Sequence, residues 1–434
     1  MTSASLIALH HPTDKYGVSS TLRPLRIAML SIHSSPLGEL GTGDTGGMSV
    51  YIREISRELG RAGHHVDIYT CAGSGRVDCG ELLSENVRLI QLRIGNNGHI
   101  GKNALYEYLP EVFLSIEAHM NANNICYDLV HSHYWLSGSV GHLAQDRWCV
   151  PHIMMFHTTG IAKRMACGQE REPFLRLISE KRLAGASDRV LAATGNEKSL
   201  LMKYYDVPEE NIGVVPCGVS LQRFHPVARE LARRELGLHD SQFIALYVGR
   251  FAPVKGLERL LAAAAHLRFQ RGLRFAIIGG DDQNTPASTE LRRLAQRASL
   301  GGIVQFLGRI EHNLLPLYYS AADVLVVPSY YESFGLVALE SLACGTPVIA
   351  TRVGAMDTLI QDGKTGFLVD SPSPLLLASA IRDMMVAQSA SRISRDQIRA
   401  SVLGYGWSDV ASAIVREYAI VLQPVAHIKT ITRA

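Results

Sequence analysis

From Val324 to Glu340 the chain runs Val324-Leu325-Val326-Val327-Pro328-Ser329-Tyr330-Tyr331-Glu332-Ser333-Phe334-Gly335-Leu336-Val337-Ala338-Leu339-Glu340. An apolar segment, a polar turn and a helix-forming segment follow one another directly, the repeating unit of an α/β fold. The helical segment continues to Cys344, and Gly345 and Pro347 stop it. The first turn of a helix leaves N–H donors unpaired and carries partial positive charge, so this junction favours an anion. One glutamate lies in the turn and a second eight residues later. Carboxylates beside an anion site suit hydroxyls attached to that anion, as in a sugar or ribose carrying phosphate. The plainer alternative is that Glu332 merely precedes the helix and Glu340 lies on its solvated face.

Outward from this stretch, 434 residues accommodate two or three domains. With 47% hydrophobic and 19% charged residues the composition is that of a globular protein. A formal charge of +3 is too small to imply a nucleic-acid partner, and no basic cluster is interleaved with aromatics. Cys71, Cys79, Cys126, Cys149, Cys167, Cys217 and Cys344 form no C-x-x-C pair and are odd in number, which reads as free thiols in a reducing compartment. The apolar run Ser5 to Leu9, followed by His10, His11 and Pro12, is too short for a signal-peptide core. No run approaches the ~18 apolar residues of a membrane span. A cytoplasmic location is expected, and a homodimer is left open.

In the N-terminal half, Leu25 to Ile32 reads as a buried first strand. A loop ending Gly41-Thr42-Gly43-Asp44-Thr45-Gly46-Gly47 leads to a helix with Met48, Tyr51, Ile52, Ile55 and Leu59 on one face. Gly41, Gly43 and Gly46 spell G-x-G-x-x-G, but about eight residues separate them from the strand, whereas a dinucleotide fingerprint follows its strand at once. A phosphate-approaching loop and a plain tight turn both fit. Further strands are expected at His65–Tyr69, Val87–Leu92, Leu129–His133, His152–Phe156, Arg189–Ala193 and Ile212–Pro216. Two end in polar clusters, His131-Ser132-His133-Tyr134 and His157-Thr158-Thr159. Ligands of open parallel sheets sit beyond such strand ends. His131 and His133 alternate onto one face, yet no third metal ligand is evident, so hydrogen bonding to substrate or backbone is expected of them. Pro216 to Pro226 reads as a connector.

From Phe243 a second series begins, with strands at Phe243–Val248, Phe275–Gly279, Ile303–Leu307, Val324–Val327 and Pro347–Ala350. Arg250 and Lys255, five apart at a strand-to-helix junction, suit a diphosphate: arginine forks onto two oxygens while lysine supplies a point charge. A solvated loop with capping charges is the alternative. A closing helix is expected from about Trp407. Two halves of this kind imply a ligand cleft between them.

Together these residues resemble the retaining glycosyltransferases of family four, which share the GT-B architecture of two Rossmann-like domains. The resemblance runs from about Leu25 to Tyr418. It rests on E-S-F-G-L-V-x-x-E at Glu332–Glu340 and G-R-x4-K-G at Gly249–Gly256. It implies an acceptor-binding domain over 1–222, a nucleotide-sugar-binding domain over 223–406, and a helix over about 407–424 packing back on the first. By resemblance, Arg250 and Lys255 hold the donor diphosphate, helped by backbone near Gly47 and at Phe334, Gly335 and Leu336. Glu340 binds the ribose, Glu332 the transferred sugar, and Arg309 lies near the nucleobase. His157 contacts the sugar beside the reacting centre, so the implied catalytic set is His157, Glu332, Arg250 and Lys255. Fixed cations and helix N–H groups would stabilise a leaving diphosphate. That scheme requires no cofactor or divalent metal, the UDP-sugar being a substrate, and no D-x-D pattern suggests one. No carboxylate demands the role of covalent nucleophile, so same-face attack is the implied route to retention.

Within the family, G-T-G-D-T-G-G-M, H-S-H-Y-W-L-S-G, D-R-W-C-V-P and His157-Thr158 are most similar to the D-inositol-3-phosphate glycosyltransferases of the mycothiol pathway, which use a UDP-linked N-acetylglucosamine donor. Carried over, Lys102, Tyr134, Thr158 and Arg176 would hold the acceptor phosphate. Ser49 stands where that subgroup usually has asparagine, a departure bearing on the inositol ring. Sucrose-phosphate synthases share much of the N-terminal pattern, making a hexose phosphate the rival acceptor and glucose the rival sugar. A sugar-nucleotide epimerase of the same fold, a non-catalytic nucleotide-sugar binder and, last, a dehydrogenase are the other readings.

Overall fold

Short β-branched and aliphatic runs, buried on both faces, give this chain two sheets rather than one. The computed structural model describes residues 23–38, 45–71, 79–95, 100–102, 104–166, 172–280, 285–370, 373–389 and 394–423. In the first sheet β1 is Arg26–Leu30, β2 His65–Cys71, β3 Cys79–Ser84, β4 Val87–Leu92, β5 Leu129–His133, β6 His152–Met155, β7 Arg189–Ala192 and β8 Ile212–Val214. Their order is β3-β4-β2-β1-β5-β6-β7-β8. The second sheet contains β9 Phe243–Val248, β10 Leu273–Ile278, β11 Val304–Gly308, β12 Val324–Val327, β13 Val348–Thr351 and β14 Gly366–Val369. It is ordered β11-β10-β9-β12-β13-β14.

Among the described strands all pairings are parallel except β3 with β4. That antiparallel edge hairpin adds to the parallel strands that the alternating segments suggest. β14 also joins the sheet without having been foreseen. Both sheets reverse strand order beside their first strand, β1 next to β5 and β9 next to β12. Such reversals open a crevice at the carboxyl ends of the strands.

Helix Gly47–Arg61 buries Tyr51, Ile52, Ile55 and Leu59 on one face, the face its periodicity marks. Helix Trp407–Leu422 returns to the first sheet after the second is complete. Val219 bridges to Gly406, Arg189 Nε donates to Glu417 Oε2 at 2.6 Å, and Tyr51 meets Trp407 edge-on at 5.7 Å between centroids. Tyr51 is wholly buried. Aromatic side chains of this kind remove roughly 150–250 Å² each from water. At about 25 cal/mol per Å² that stabilises the fold by at most ~4–6 kcal/mol per ring, less the cost of a Tyr51 hydroxyl buried without a partner among the described residues. No described helix is long and apolar enough to cross a membrane.

Candidate active site

The donor-side candidates gather at the carboxyl ends of β9, β11 and β12. The loop after β9 is clamped to the loop after β12: Tyr330 N donates to Val254 O at 2.8 Å. Gly256 has φ +64°, and a Cβ there would lie 2.1 Å from Pro328 O. Only glycine permits that approach. The clamp carries Lys255 onto Glu332, whose two carboxylate oxygens each accept from Nζ at 2.8 Å. Ser329 Oγ adds a third donor to Oε1 at 2.7 Å. The cation expected at a diphosphate is thus also the partner of the glutamate expected at the sugar. Arg250 and Arg309 are exposed at the mouths of β9 and β11. The Phe334 ring is turned into the core against Tyr405, so this residue offers a ligand backbone rather than ring.

Eight residues after Glu332, Glu340 lies on helix Leu336–Ala343. Contrary to the solvated-face alternative it is 6% exposed. Tyr319 Oη donates to its Oε2 at 2.9 Å, and His312 Nε2 lies 2.8 Å from Oε1. His312 Nδ1 in turn lies 3.3 Å from Arg223 Nη1. Arginine can only donate, so His312 accepts at Nδ1 and presents Nε2–H to Glu340. Two lone-pair sites of the carboxylate stay open to hydroxyls. His312, Tyr319 and Arg223 escaped sequence reasoning, for they lie 28, 21 and 117 residues from Glu340 with no spacing that links them.

On the opposite side stand the residues carried over for an acceptor phosphate: Tyr134 and Thr158 just after β5 and β6, Lys102 beyond β4, and Arg176 on helix Phe174–Ala186. Tyr134 and His157 hold positive φ, +74° and +59°, unusual for bulky side chains and a mark of functional loops. Lys102 Nζ stands 4.4 Å from the Tyr134 ring centre and the Arg176 guanidinium 4.9 Å. Arg176 Nη2 donates to Thr158 O at 2.7 Å and Oγ1 at 3.1 Å. All four residues therefore form one cluster. Arg176 is no surface charge: it is 2% exposed and is also held by Glu180 and Glu172, both at 2.6 Å. Ser49 is buried and bonded at 2.8 Å to Ser34 Oγ. His33, three residues past β1, packs against Tyr134 with ring centres 4.3 Å apart and planes tilted by 36°. Burial, with Lys102, His157 and Arg176 adding to it, pushes its pKa well down.

His133 Nδ1 lies 2.9 Å from His157 Nε2, and His131 Nδ1 lies 2.9 Å from Tyr418 Oη. The Nδ1 atoms of these strand histidines meet side chains of the protein rather than backbone. Among the described residues no group of three His, Cys, Asp or Glu could hold a metal ion. Gly41 and Gly43 lie outside the described residues.

The two sides meet at two helix starts. A Cβ on Gly47 would stand 3.1 Å from Leu336 Cδ1. Neither helix Gly47–Arg61 nor helix Leu336–Ala343 has a side-chain cap or an acidic residue in its first turn. Two uncapped positive ends facing each other are a place for a doubly charged anion. Val50, Glu54, Arg223, His312, Leu336 and Glu340 line a narrow cleft beside them.

The family description Glycosyltransferase Family 4 matches residues 45–223, and Glycosyl transferases group 1 matches residues 228–400. D-inositol 3-phosphate glycosyltransferase 2 of Catenulispora acidiphila is 39% identical over 407 residues, covering 91% of this chain and 95% of that protein. The D-inositol 3-phosphate glycosyltransferase of Geodermatophilus obscurus is 37% identical, covering 93% of this chain and 91% of its own length. Among solved structures, the sucrose-phosphate synthase of Thermosynechococcus elongatus superposes with a TM-score of 0.83 at 34% identity, covering 91% of this chain and 98% of that one. Anabaena HepE in complex with UDP and glucose, at 18% identity, shares the fold with a TM-score of 0.72, covering 91% of this chain and all of its own.

Proposed function

This chain belongs to glycosyltransferase family 4, and we propose that it is a retaining enzyme moving a sugar from a UDP-sugar onto an inositol phosphate. The observation that carries this reading is the gathering of Lys102, Tyr134, Thr158 and Arg176 into one cluster on the first sheet's side of the cleft. Two cations with two hydroxyls are chemically suited to a phosphomonoester. Arg176, fixed by two carboxylates, orients Thr158 as much as it attracts charge. On the donor side, Arg250, Lys255 and the N–H groups at Leu336 would stabilise the leaving diphosphate. Glu332 would hold sugar hydroxyls and Glu340 ribose hydroxyls. No residue in this scheme requires a divalent metal.

A hexose phosphate acceptor is the second reading. It is favoured by Ser49, whose short side chain is turned onto Ser34, and by the likeness to a sucrose-phosphate synthase. The test is nucleotide release from UDP-, GDP- and ADP-sugars against inositol phosphate and hexose phosphates, with chelator in a parallel arm. Release from a UDP-sugar that rises with inositol phosphate, survives chelation and gives a product of retained anomeric configuration is the expected result. A rise with a hexose phosphate alone would select the second reading. Donor epimerised without acceptor would point to an epimerase instead.

A further inference from the structure

Three imidazoles stand in line behind the acceptor cluster. His131 and His133 occupy alternate positions of β5 and so share a face; their ring centres lie 4.3 Å apart. His133 and His157 follow at 5.1 Å. Tyr51 sets its edge against both His133 and His157, at 5.8 and 5.2 Å. Two hydrogen bonds tie the row together: Tyr418 Oη to His131 Nδ1, and His133 Nδ1 to His157 Nε2. Burial keeps all three rings uncharged at neutral pH, with His131 and His157 pushed down to about 3. A neutral imidazole carries one proton, and the bond made by one nitrogen decides the state of the other.

The unused nitrogens determine which way the protons lie. Among the described residues, none is a hydrogen-bond partner of the buried Nε2 of His131 or of the buried Nε2 of His133. A buried N–H without an acceptor is rarer than a buried acceptor left short of a donor. Both Nε2 atoms are therefore the bare nitrogens, and both rings carry their proton on Nδ1. His131 then donates to the Tyr418 hydroxyl, and His133 donates to His157 Nε2. With Nε2 accepting, His157 must hold its own proton on Nδ1. That nitrogen, unlike those of His131 and His133, is not among the buried unpartnered atoms of this half-buried residue.

We propose that His133 is a positioning residue that locks His157 in its Nδ1–H tautomer, so that His157 presents a neutral N–H donor, not a lone pair, to the cleft. A neutral donor can hold a sugar oxygen without adding a third full positive charge to a site that already contains Lys102 and Arg176. Tyr418, on the last helix, anchors the far end of the row and ties the closing segment of the chain to the site. The tautomer assignment stands on the burial and hydrogen-bond geometry of the three rings; its bearing on turnover rests on the reading of His157 as the residue that meets the transferred sugar.

The full chain labelled with ¹⁵N-histidine tests this, with the His157 resonances identified by their loss in His157→Gln. Wild type should show the proton of His157 on Nδ1. His133→Leu should shift it toward Nε2, while lowering kcat about 10- to 100-fold, the usual cost of losing an orienting partner, with little change in donor KM. His133→Asn, whose amide N–H can stand in for Nδ1–H, should restore both the tautomer and most of kcat. An Nε2–H tautomer in wild type, or an unchanged Nδ1–H tautomer in His133→Leu, overturns the proposal. If His133→Leu does not fold, the wild-type and His133→Asn spectra decide it. The expected tautomers in a protein without transferase activity would sink the functional reading and leave this one standing.

Discussion

Lys255 has three N–H groups and directs two at Glu332, which leaves one for an anion. Its charge and its geometry are thus shared between the two ends of a bound donor. Lys255→Ala would remove a cation from the diphosphate and leave the 8%-exposed Glu332 with Ser329 alone. The expected loss in kcat/KM is on the order of 10²–10³-fold, read by steady-state UDP release. Lys255→Arg should recover only part of it, because a planar fork does not replace a point charge. Unchanged turnover in Lys255→Ala would take this residue out of the site. The pair was legible in sequence because each member sits in a short motif at a strand-to-helix junction. The supports of Glu340 were not, because His312, Tyr319 and Arg223 reach it only through tertiary folding. His133 was noticed as a strand-end histidine, but its partner lies one strand away, beyond what alternation along β5 can tell.

Elements place these residues, and two glycines show how differently one residue type serves them. Gly335 begins helix Leu336–Ala343 with φ +110°, and a Cβ there would fall 2.2 Å from Met356 Cε. Gly46 begins helix Gly47–Arg61 with φ −160°, an extended conformation open to any residue, and a Cβ there would meet nothing within 4 Å. Gly335→Ala should therefore destabilise the protein by roughly 1–3 kcal/mol and weaken UDP binding, since the helix start it distorts is the anion end. Gly46→Ala should stay within about ±0.5 kcal/mol. Thermal melts with and without UDP distinguish the two; equal loss in both would remove the backbone argument. Glycine content alone ranked these positions alike, since sequence carries no φ. The same limit hid the edge hairpin of β3 and β4. β14 escaped for another reason: four residues opening on glycine, Gly366-Phe367-Leu368-Val369, give too short a run to stand out from a loop.

At the scale of the molecule, two α/β halves were legible because alternating apolar runs and helical segments repeat from Leu25 to Tyr418. The return of the last helix onto the first sheet was implied only by resemblance, and packing explains it: Trp407 and Tyr418 fill space beside Tyr51 and His131. That packing buries imidazoles. His33, His131, His133, His152 and His157 are all held below the ordinary histidine pKa by burial, with His131, His152 and His157 at about 3. Between that range and 6.5 the unfolded chain binds protons that the native state refuses, so stability is complete above pH 6.5 and is lost as pH falls. Glu197 acts in the opposite sense. Burial raises it to about 7, so the native state takes up a proton there that the unfolded chain binds only near pH 4.5, and its contribution fades as pH rises. These five, joined by His64 and His119, which burial also lowers, outweigh one, each group worth up to about 1.4 kcal/mol per pH unit. The melting temperature should therefore be level from pH 8 to 7 and fall steeply from pH 6.5 to 5. His152 separates this effect from catalysis. It starts β6, at the end of the sheet away from the cleft, and bonds Ser132 and Ser187. His152→Gln should flatten the acid limb by about one group's share and leave turnover at pH 7.5 unchanged. A melting temperature indifferent to pH over that interval would mean that the native imidazoles take up protons as readily as those of the unfolded chain, and burial would then not keep the row behind His157 neutral.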